Sequence, residues 1–331
     1  MRPSKKCRLR GKVRVFTQRD RWMIVRRTAK DTLTPVEVLH GDTIAFTLLD
    51  GSTTQIELRS TGAEIMHSTL KEPGVEEPAA ITTYRFWADV VINGTEVRLE
   101  REVGTQQSFY EPWVIGGVRI WLDVVDDIFA FVRETHGPCR PTRTCARRLA
   151  EYKQARFALQ DATARICPER LHPWCPLPEG GLRIEDCFRG EDCWLGAFDG
   201  VSAHGGLDVN HPKGTPLYAP LDLDTHFLIR RLEDGWINNS WRGFRRWPNG
   251  SEWILLTAHM TELVVPEHTP LKAGTHYAVG AGILCELVEH SHFTFTVNDL
   301  GNRYVLDPWI LFWQMYQDLA EDPGAEDVEH P

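Results

Sequence analysis

The sequence predicts a mostly β protein, in which two β-rich regions are joined by a helical, cysteine-rich connector. Short apolar stretches separated by turn signals recur through residues 11–135 and again through residues 201–307. Between these regions lie a stretch without Pro or Gly and a stretch rich in Pro, Gly and Cys. We therefore expect a β-rich accessory domain at residues 1–135, a connector at residues 136–194 and a second β domain at residues 195–331.

The first region has the pattern of an antiparallel β domain. Its apolar runs include residues 84–92 and 118–125, and turn residues separate them. Asn93-Gly94 lies between "WADVVI" and "TEVRLE", which is a strong signal for a two-residue hairpin turn. We expect a sandwich or a small barrel. No catalytic cluster stands out here, and both a structural and a substrate-binding role are open.

The connector is expected to begin with a helix. Residues 142–166 contain no Pro or Gly and are rich in Ala, Arg, Leu and Gln, a composition that favours a helix. Residues 167–200 are rich in Pro, Gly and Cys and indicate irregular structure. A second helix is expected from the segment "PWILFWQMYQDLAE" near the C-terminal end.

Eight cysteines bear on the cellular compartment. Six of them lie in the connector: Cys139, Cys145, Cys167, Cys175, Cys187 and Cys193. No C-x-x-C pair occurs, which disfavours a zinc ribbon, and disulfides such as Cys139–Cys145 or Cys187–Cys193 are the alternative. Six cysteines allow about 15 pairings, and the sequence does not choose among them. We expect an oxidising compartment, and therefore a secreted or periplasmic protein.

Charge and hydropathy exclude two classes of partner. The net charge of −9 argues against nucleic-acid binding, which is typical of basic proteins. No apolar run reaches the length of about 18 residues that a membrane span needs. The basic N-terminus is not followed by an apolar segment, so we expect no signal peptide in the chain as given.

Two histidines near residue 290 suggest a metal site. Residues i and i+2 of a strand project from the same face, so "HSHFTFTV" places the imidazoles of His290 and His292 together. Neutral imidazole is a good zinc ligand. The alternative is a pair of half-buried strand histidines with hydrogen-bonded rings.

A second stretch strengthens the metal interpretation. Gly-Gly-Leu separates His204 from Asp208, and two glycines allow a tight turn that brings both side chains to one point. A carboxylate and two histidines make three ligands with one open position, as in catalytic zinc sites. His259 follows the apolar run "WILLTA", so it lies at the end of a buried strand. His259 and His290 are the candidates for proton transfer.

Together these stretches resemble the M23 family of zinc metallopeptidases, the lysostaphin and LytM group. That family is recognised by H-x-x-x-D, a histidine in an "AHL"-like strand end and a closing H-x-H. Here the motifs are "HGGLD" from His204, "AHM" around His259 and "HSH" from His290. "GTPLYAP", "HFTFTV" and the final Asp307-Pro308 are also similar, and the resemblance covers residues 195–312.

The resemblance implies a fold, a cofactor and an activity. The fold is an antiparallel β-sheet of the lysostaphin/LytM type (the duplicated hybrid motif), crossed by a groove. The implied Zn²⁺ ligands are His204, Asp208 and His292. The implied catalytic pair is His259 and His290, which act as base toward an activated water and stabilise the tetrahedral intermediate. The implied substrates are peptide bonds in bacterial cell-wall peptidoglycan.

One insertion departs from the family pattern. The segment "RRLEDGWINNSWRGFRRWPNGSEW" places several tryptophans near arginines, and aromatic faces beside cations suit sugar rings or acidic chains. The candidate substrate-binding residues are Trp236, Trp241, Arg245 and Trp247. The alternative is a twisted hairpin with packed tryptophans.

The sequence thus favours an exported zinc endopeptidase whose partner is peptidoglycan or another extracellular polymer. The Trp/Arg insertion motivates one alternative, a zinc-dependent polysaccharide lyase or hydrolase that acts on an acidic glycan with the same metal–histidine site. The other alternative is a non-catalytic wall-binding or scaffold protein. The presence of all five motif residues argues against the last hypothesis.

Overall fold

The computed structural model describes residues 22–68, 82–128, 153–190, 193–198, 202–233, 236–280 and 290–321. Within these ranges the chain is mostly β-strand, with one α-helix near its C-terminal end. The mostly β class predicted from the sequence is confirmed. The boundaries of the predicted domains and connector stay predictions.

The first nine strands form two sheets. They are Ile24–Thr28 (β1), Thr34–Val38 (β2), Thr43–Thr47 (β3), Thr53–Ser68 (β4), Thr82–Ile92 (β5), Thr95–Val103 (β6), Trp113–Ile115 (β7), Val118–Val125 (β8) and Ala155–Asp161 (β9). One sheet has the order β1-β3-β4-β5-β6, and the other has the order β2-β9-β8-β7. Strands β4, β5 and β6 contact β8, so the two sheets pack on each other around an apolar core.

The predicted Asn93-Gly94 hairpin is confirmed. Strands β5 and β6 pair antiparallel, with Ile92 opposite Thr95. The φ angles of Asn93 and Gly94 are 48° and 86°, which are the positive values that a type I′ turn requires at both central positions. A short local signal was sufficient here, because the turn alone fixes the register of the two strands.

Strand β9 overturns part of the helix predicted for residues 142–166. Residues 155–161 pair antiparallel with β2 on one side and with β8 on the other, and all seven side chains are buried. Pairing on both edges and burial on both faces outweigh the helix propensity of the Ala, Leu, Arg and Gln side chains. Residues 142–152 lie outside the described ranges.

The expected Cys187–Cys193 disulfide is wrong. Four described cysteines are buried and none of them is in a disulfide: Cys167, Cys175, Cys187 and Cys193. The Cys193 thiol instead donates to Ser108 Oγ at 3.2 Å, and burial raises its pKa to about 11. The described cysteines thus give no support to an oxidising compartment. The other cysteines, Cys7, Cys139, Cys145 and Cys285, lie outside the described residues.

The second β-rich region is confirmed and centres on an eight-stranded sheet. Its strands are Leu207–Asn210 (β12), Pro216–Tyr218 (β13), Thr225–Ile229 (β14), Asn239–Arg246 (β17), Glu252–Leu263 (β18), His276–Gly280 (β19), His290–Asp299 (β20) and Asn302–Leu306 (β21). The central order is β12-β20-β18-β17-β14, with β19 joining β13 to β18, and β21 beside β20. Two short hairpins pair Ala197–Phe198 (β10) with Ser202–Ala203 (β11) and Leu232–Glu233 (β15) with Trp236–Ile237 (β16).

The helix Trp309–Ala320 (α1) confirms the helix predicted near the C-terminal end. It packs against both β regions. The ring of Phe312 lies 5.4 Å from that of Phe293 in β20, and the ring of Trp313 lies 5.6 Å from that of Trp121 in β8. Among the described residues, no helix is long and apolar enough to cross a membrane.

A buried network of ion pairs also joins the two regions. Arg101 on β6 contacts Asp307, just after β21, at 2.7 Å, and Arg156 on β9 contacts Asp123 on β8 at 2.6 Å. Asp123 links the two pairs because its carboxylate accepts from the Asp307 backbone N–H at 2.8 Å. Arg156 also donates to the carbonyl oxygen of Val305 in β21 at 2.7 Å. These four charged side chains are at most 1% exposed, so each needs its partner.

We expect Arg101→Met to lower the free energy of unfolding by about 3–5 kcal/mol, because it leaves the buried Asp307 carboxylate without its cation. The matched control is Arg98→Met on the same strand. Arg98 pairs with Asp89 at the surface, with side chains 53% and 31% exposed, and such pairs contribute about 0–1 kcal/mol. Urea unfolding of both variants checks the prediction, and equal effects would contradict it.

We expect the folded protein to lose stability in acid because the His226 ring is buried in its neutral form. Its Nδ1 accepts a hydrogen bond from Trp241 Nε1 at 3.1 Å, which an imidazolium cannot do. Burial lowers the pKa of His226. Its contribution is therefore fully present above the unfolded-state pKa of about 6.5, and it is lost as the pH falls through the lower folded-state pKa.

Urea unfolding between about pH 7.5 and pH 5 measures this loss. His226→Gln should be less stable at neutral pH and should lose less stability on acidification than the wild type. Both chains are stripped of metal beforehand, so that loss of a metal ion cannot mimic the effect. Parallel pH curves for the two chains would show that His226 does not contribute.

Candidate metal centre

Strand pairing brings the predicted motif residues together. Asp208 on β12 lies opposite His292 on β20, and His292 lies opposite Ala258 on β18. Residues directly opposite each other in antiparallel strands share a face, so the side chains of Asp208 and His292 meet. His290 is two residues before His292 on β20, and its Nε2 lies 3.4 Å from Asp208 Oδ2. Both imidazoles therefore lie beside one carboxylate, as the H-x-H pattern predicts.

Gly206 allows His204 to reach the same point. A Cβ atom at this position would lie 2.4 Å from His292 Cε1 and 2.5 Å from the Phe293 carbonyl oxygen. No side chain fits in that space without a shift of the β20 backbone. Gly206 therefore permits the close approach of His204 and Asp208 because its backbone lies directly against β20.

The three predicted ligands present their donor atoms at distances suited to one metal ion. His204 Nε2 lies 3.0 Å from His292 Nδ1, His292 Nδ1 lies 2.7 Å from Asp208 Oδ1, and His204 Nε2 lies 3.5 Å from Asp208 Oδ1. Donors bound at about 2.0–2.2 Å to a tetrahedral zinc are about 3.3–3.5 Å apart. The donor set and its spacing therefore fit zinc, with a small outward movement of His292.

Hydrogen bonds behind the histidines select the ring nitrogens that face the centre. His204 Nδ1 lies 3.1 Å from the carbonyl oxygen of Cys193, which can only accept, so Nδ1 carries a proton and Nε2 is the nitrogen that faces the centre. His292 Nε2 lies 3.0 Å from Thr294 Oγ1. With a metal ion bound at Nδ1, Nε2 would donate to this hydroxyl. Such outer hydrogen bonds orient metal-binding histidines and tune their affinity.

Asp208 is ionised although it is almost fully buried. Burial alone would raise the pKa of its carboxyl group, but the charges and hydrogen bonds of His204 and His292 outweigh burial and hold the pKa well below its usual value. A buried carboxylate needs such partners. The centre therefore offers one carboxylate and two imidazoles, whose candidate ligand atoms all lie within 4.8 Å of one another.

His259 is placed by a β-bulge at the end of the apolar run of β18. Across from it, Ser240 pairs with Ala258 and Asn239 pairs with Met260, so His259 is the extra residue. Its φ is 59°, in the left-handed region that non-glycine residues rarely adopt. Bulges redirect side chains and are frequent beside functional sites. The bulge keeps Thr257 and Met260 in the core and turns His259 towards the histidine cluster.

His259 and His290 form a second pair beside the three ligands. Their ring centroids are 4.7 Å apart, and the His259 ring lies 6.2 Å from that of His292. Burial, followed by repulsion from His290, lowers the pKa of His259 to about 3, so it is neutral at neutral pH. Phe188 stacks on His290 with ring centroids 4.3 Å apart and holds that ring in place.

Of the four residues predicted to bind substrate, the structure describes three side chains, and the two tryptophans among them are buried. Trp241 is fully buried and stacks on Tyr277 at 4.1 Å, and Trp247 is 5% exposed. Arg245 lies over Trp247 and pairs with Glu169. These residues have the packing of the alternative interpretation, a hairpin with packed tryptophans, and offer no open ring face to a ligand. The side chain of Trp236 lies outside the described part of the structure.

Several features of the site were not predicted from the sequence. Thr294 has a recognisable signal, because it follows His292 by two positions on the same face of β20. The sequence gives no such signal for the Cys193 carbonyl or for the side chain of Asn238. The Asn238 side chain contacts His259 Nδ1 at 3.0 Å. Each depends on the path of a distant segment through space.

Comparisons with known proteins give distant likenesses. No family model and no curated protein matches the chain. Among solved structures, it is similar to the antimicrobial peptidase lysostaphin from Staphylococcus simulans, with 18% identity over 48% of this chain and 55% of that chain and a TM-score of 0.30. The chain thus spans about half the length of lysostaphin.

Two further likenesses cover more of the chain. A putative peptidase M23 from Pseudomonas aeruginosa is 13% identical over 86% of this chain and 93% of that chain, with a TM-score of 0.30. A zinc-containing peptidase from Vibrio cholerae is 13% identical over 78% and 85%, with a TM-score of 0.27. At such TM-scores the likenesses carry no argument about function. A proposal about function therefore has to rest on the geometry of the site.

We expect Thr294→Val to weaken zinc binding about 10–100-fold, because His292 loses the acceptor that keeps its Nδ1 turned to the centre. Competition with a chromophoric chelator measures the affinity. Thr294→Ser keeps the hydroxyl and should bind zinc like the wild type. Equal zinc affinity in all three chains would show that Thr294 does not orient His292.

Proposed function

We propose that the chain is a zinc-dependent endopeptidase that hydrolyses peptide bonds in bacterial cell-wall peptidoglycan. The observation that carries the proposal is the convergence of His204, Asp208 and His292 on one point, with His259 and His290 beside it. The substrate class follows from the motif resemblance to M23 peptidases across residues 195–312.

The donor set favours a catalytic zinc over a structural one. Structural zinc sites are usually closed by four protein ligands, whereas catalytic sites use three and keep a position for water or substrate. Two imidazoles and one carboxylate are typical zinc ligands in hydrolases. When bound, zinc supplies Lewis acidity, which polarises a carbonyl group and makes water a better nucleophile at neutral pH.

The two remaining histidines supply what peptide hydrolysis needs from side chains. A proton must leave the attacking water, and a proton must reach the departing amine. We assign the first of these protons to His259, whose ring is neutral and therefore has one nitrogen with a lone pair. The ring of His290, which contacts Phe188 and Asp208, would donate a hydrogen bond to the oxygen on which negative charge develops.

The described residues do not support either of the two alternative functions. The polysaccharide hypothesis depended on aromatic faces in the insertion, and Trp241 and Trp247 are buried. A scaffold that does not bind metal has no use for three buried polar donors that meet at one point, because burying such groups is unfavourable unless they are paired or bind an ion. We therefore retain the endopeptidase as the single proposal.

The proposed substrate also has a consequence for location. Peptidoglycan lies outside the cytoplasmic membrane, so the proposed activity requires export of the chain. A secreted or periplasmic location accordingly rests on the proposed function and not on disulfides, because the four described cysteines form none.

Metal analysis and a cell-wall turbidity assay, with and without a chelator, test the proposal. We expect one zinc per chain and chelator-sensitive clearing of isolated walls, with new free amines in the product. His292→Ala should lose zinc. His290→Gln should keep zinc and lose about 100-fold or more in turnover. The control is His276→Gln, an exposed histidine of β19 outside the cluster, which should match the wild type.

Other outcomes have defined meanings. Absence of zinc from the wild type, or unchanged metal content in His292→Ala, contradicts the metal centre. Bound zinc without release of amines contradicts the peptide substrate, and unsaturated sugars in the product would restore the lyase hypothesis. Full activity of His290→Gln would remove His290 from the mechanism.

A further inference from the structure

We propose that Asn238 is the positioning residue of His259, and that its amide oxygen fixes the imidazole in the tautomer with Nε2 as the proton acceptor. The inference rests on the proposed function, which gives His259 a part in proton transfer. It also gives a role to the insertion, in which the predicted substrate-binding residues Trp241 and Trp247 are buried.

The hydrogen bond between the two side chains determines the tautomer. His259 Nδ1 lies 3.0 Å from Asn238 Oδ1. An amide oxygen can only accept, so the proton of the neutral ring is on Nδ1 and Nε2 keeps its lone pair. The ring as a whole lies beside His290 and His292. The acceptor nitrogen of His259 is therefore available next to the metal centre.

Asn238 is itself held by the insertion. Its backbone N–H donates to the carbonyl oxygen of Arg231 at 3.0 Å, and the backbone N–H of Arg231 donates to Asn239 Oδ1 at 3.0 Å. Asn239 Nδ2 in turn donates to the carbonyl oxygen of Thr261 at 3.1 Å. The hairpin is thus tied to β18 just beyond the bulge, and Asn238 is only 8% exposed.

The bulge explains why His259 needs a positioning partner. In a regular strand the two neighbouring strands and the pleat restrict side-chain direction. His259 is the unpaired residue of the bulge and has a positive φ, so the regular ladder does not orient its ring. Histidines that act in proton transfer are commonly oriented by a third group that binds the ring nitrogen away from the reaction.

The proton balance of hydrolysis agrees with this tautomer. Nε2 accepts a proton from water as the water oxygen bonds to the carbonyl carbon. The ring is then an imidazolium, and Asn238 Oδ1 continues to accept from Nδ1–H. Nε2–H gives its proton to the amide nitrogen as the C–N bond breaks, so the products are a carboxylic acid and an amine. The opposite tautomer could not accept the first proton at Nε2.

Nitrogen NMR of ¹⁵N-histidine-labelled protein tests the assignment directly. Long-range ¹H–¹⁵N spectra distinguish the two tautomers, and His259→Gln identifies the signals of His259. We expect the Nδ1–H tautomer in the wild type, both with zinc and after chelation. Asn238→Ala should lose this fixed tautomer, whereas Asn238→Asp should keep it because a carboxylate oxygen also accepts. Asn239→Ala is the structural control, since it loosens the hairpin without removing the acceptor.

Kinetics on isolated walls give a second readout. Asn238→Ala should lower kcat about 10–100-fold with KM within about twofold and zinc content unchanged, and Asn238→Asp should recover much of kcat. An Nε2–H tautomer in the wild type, or a retained Nδ1–H tautomer in Asn238→Ala, overturns the proposal. The tautomer is read without substrate, so walls that are not cleaved would contradict the proposed function and leave the assignment of Asn238 standing.

Discussion

The register of strand β20 is the constraint on which both the core and the candidate site depend. Phe293, Phe295 and Val297 are fully buried on one face of the strand, while His292 and Thr294 lie on the other face. A slip of one residue would exchange the two faces. Each buried apolar side chain contributes about 1.5–3 kcal/mol, so core packing fixes the direction of the imidazoles.

The first β region contacts the segment that holds His204 in the candidate site. The carbonyl of Cys193 accepts from His204, and the residues that follow Cys193 contact the first region. Trp194 Nε1 donates to the Asp123 carbonyl oxygen at 3.0 Å, and Tyr84 donates to the Leu195 carbonyl oxygen. Asp123 also belongs to the buried ion network. Buried ion pairs add little net stability, but the loss of one partner is costly. They therefore favour one arrangement of the two regions.

The predictions that succeeded came from local signals with a fixed geometry. The Asn93-Gly94 turn sets its own φ angles, and the spacing of His290 and His292 follows from the period of a strand. The helix predicted within residues 142–166 was wrong for residues 155–161, because sheet pairing on both edges outweighed composition. The burial of Trp241 likewise follows from contacts with distant strands, and no local pattern distinguishes it from a ligand-binding tryptophan. Long-range pairing was not readable from one sequence.

The bulge at His259 interrupts the alternation of core-facing and outward-facing residues along β18. In β18 the buried positions alternate through Thr257 and then shift by one, so that Met260 is buried. An unbroken strand would place residue 259 on the core face. A left-handed non-glycine residue costs about 1–3 kcal/mol, which the burial of Met260, worth a similar amount, can offset. The strain thus depends on core packing, and its effect is to hold His259 beside the metal ligands, where no regular strand position would place it.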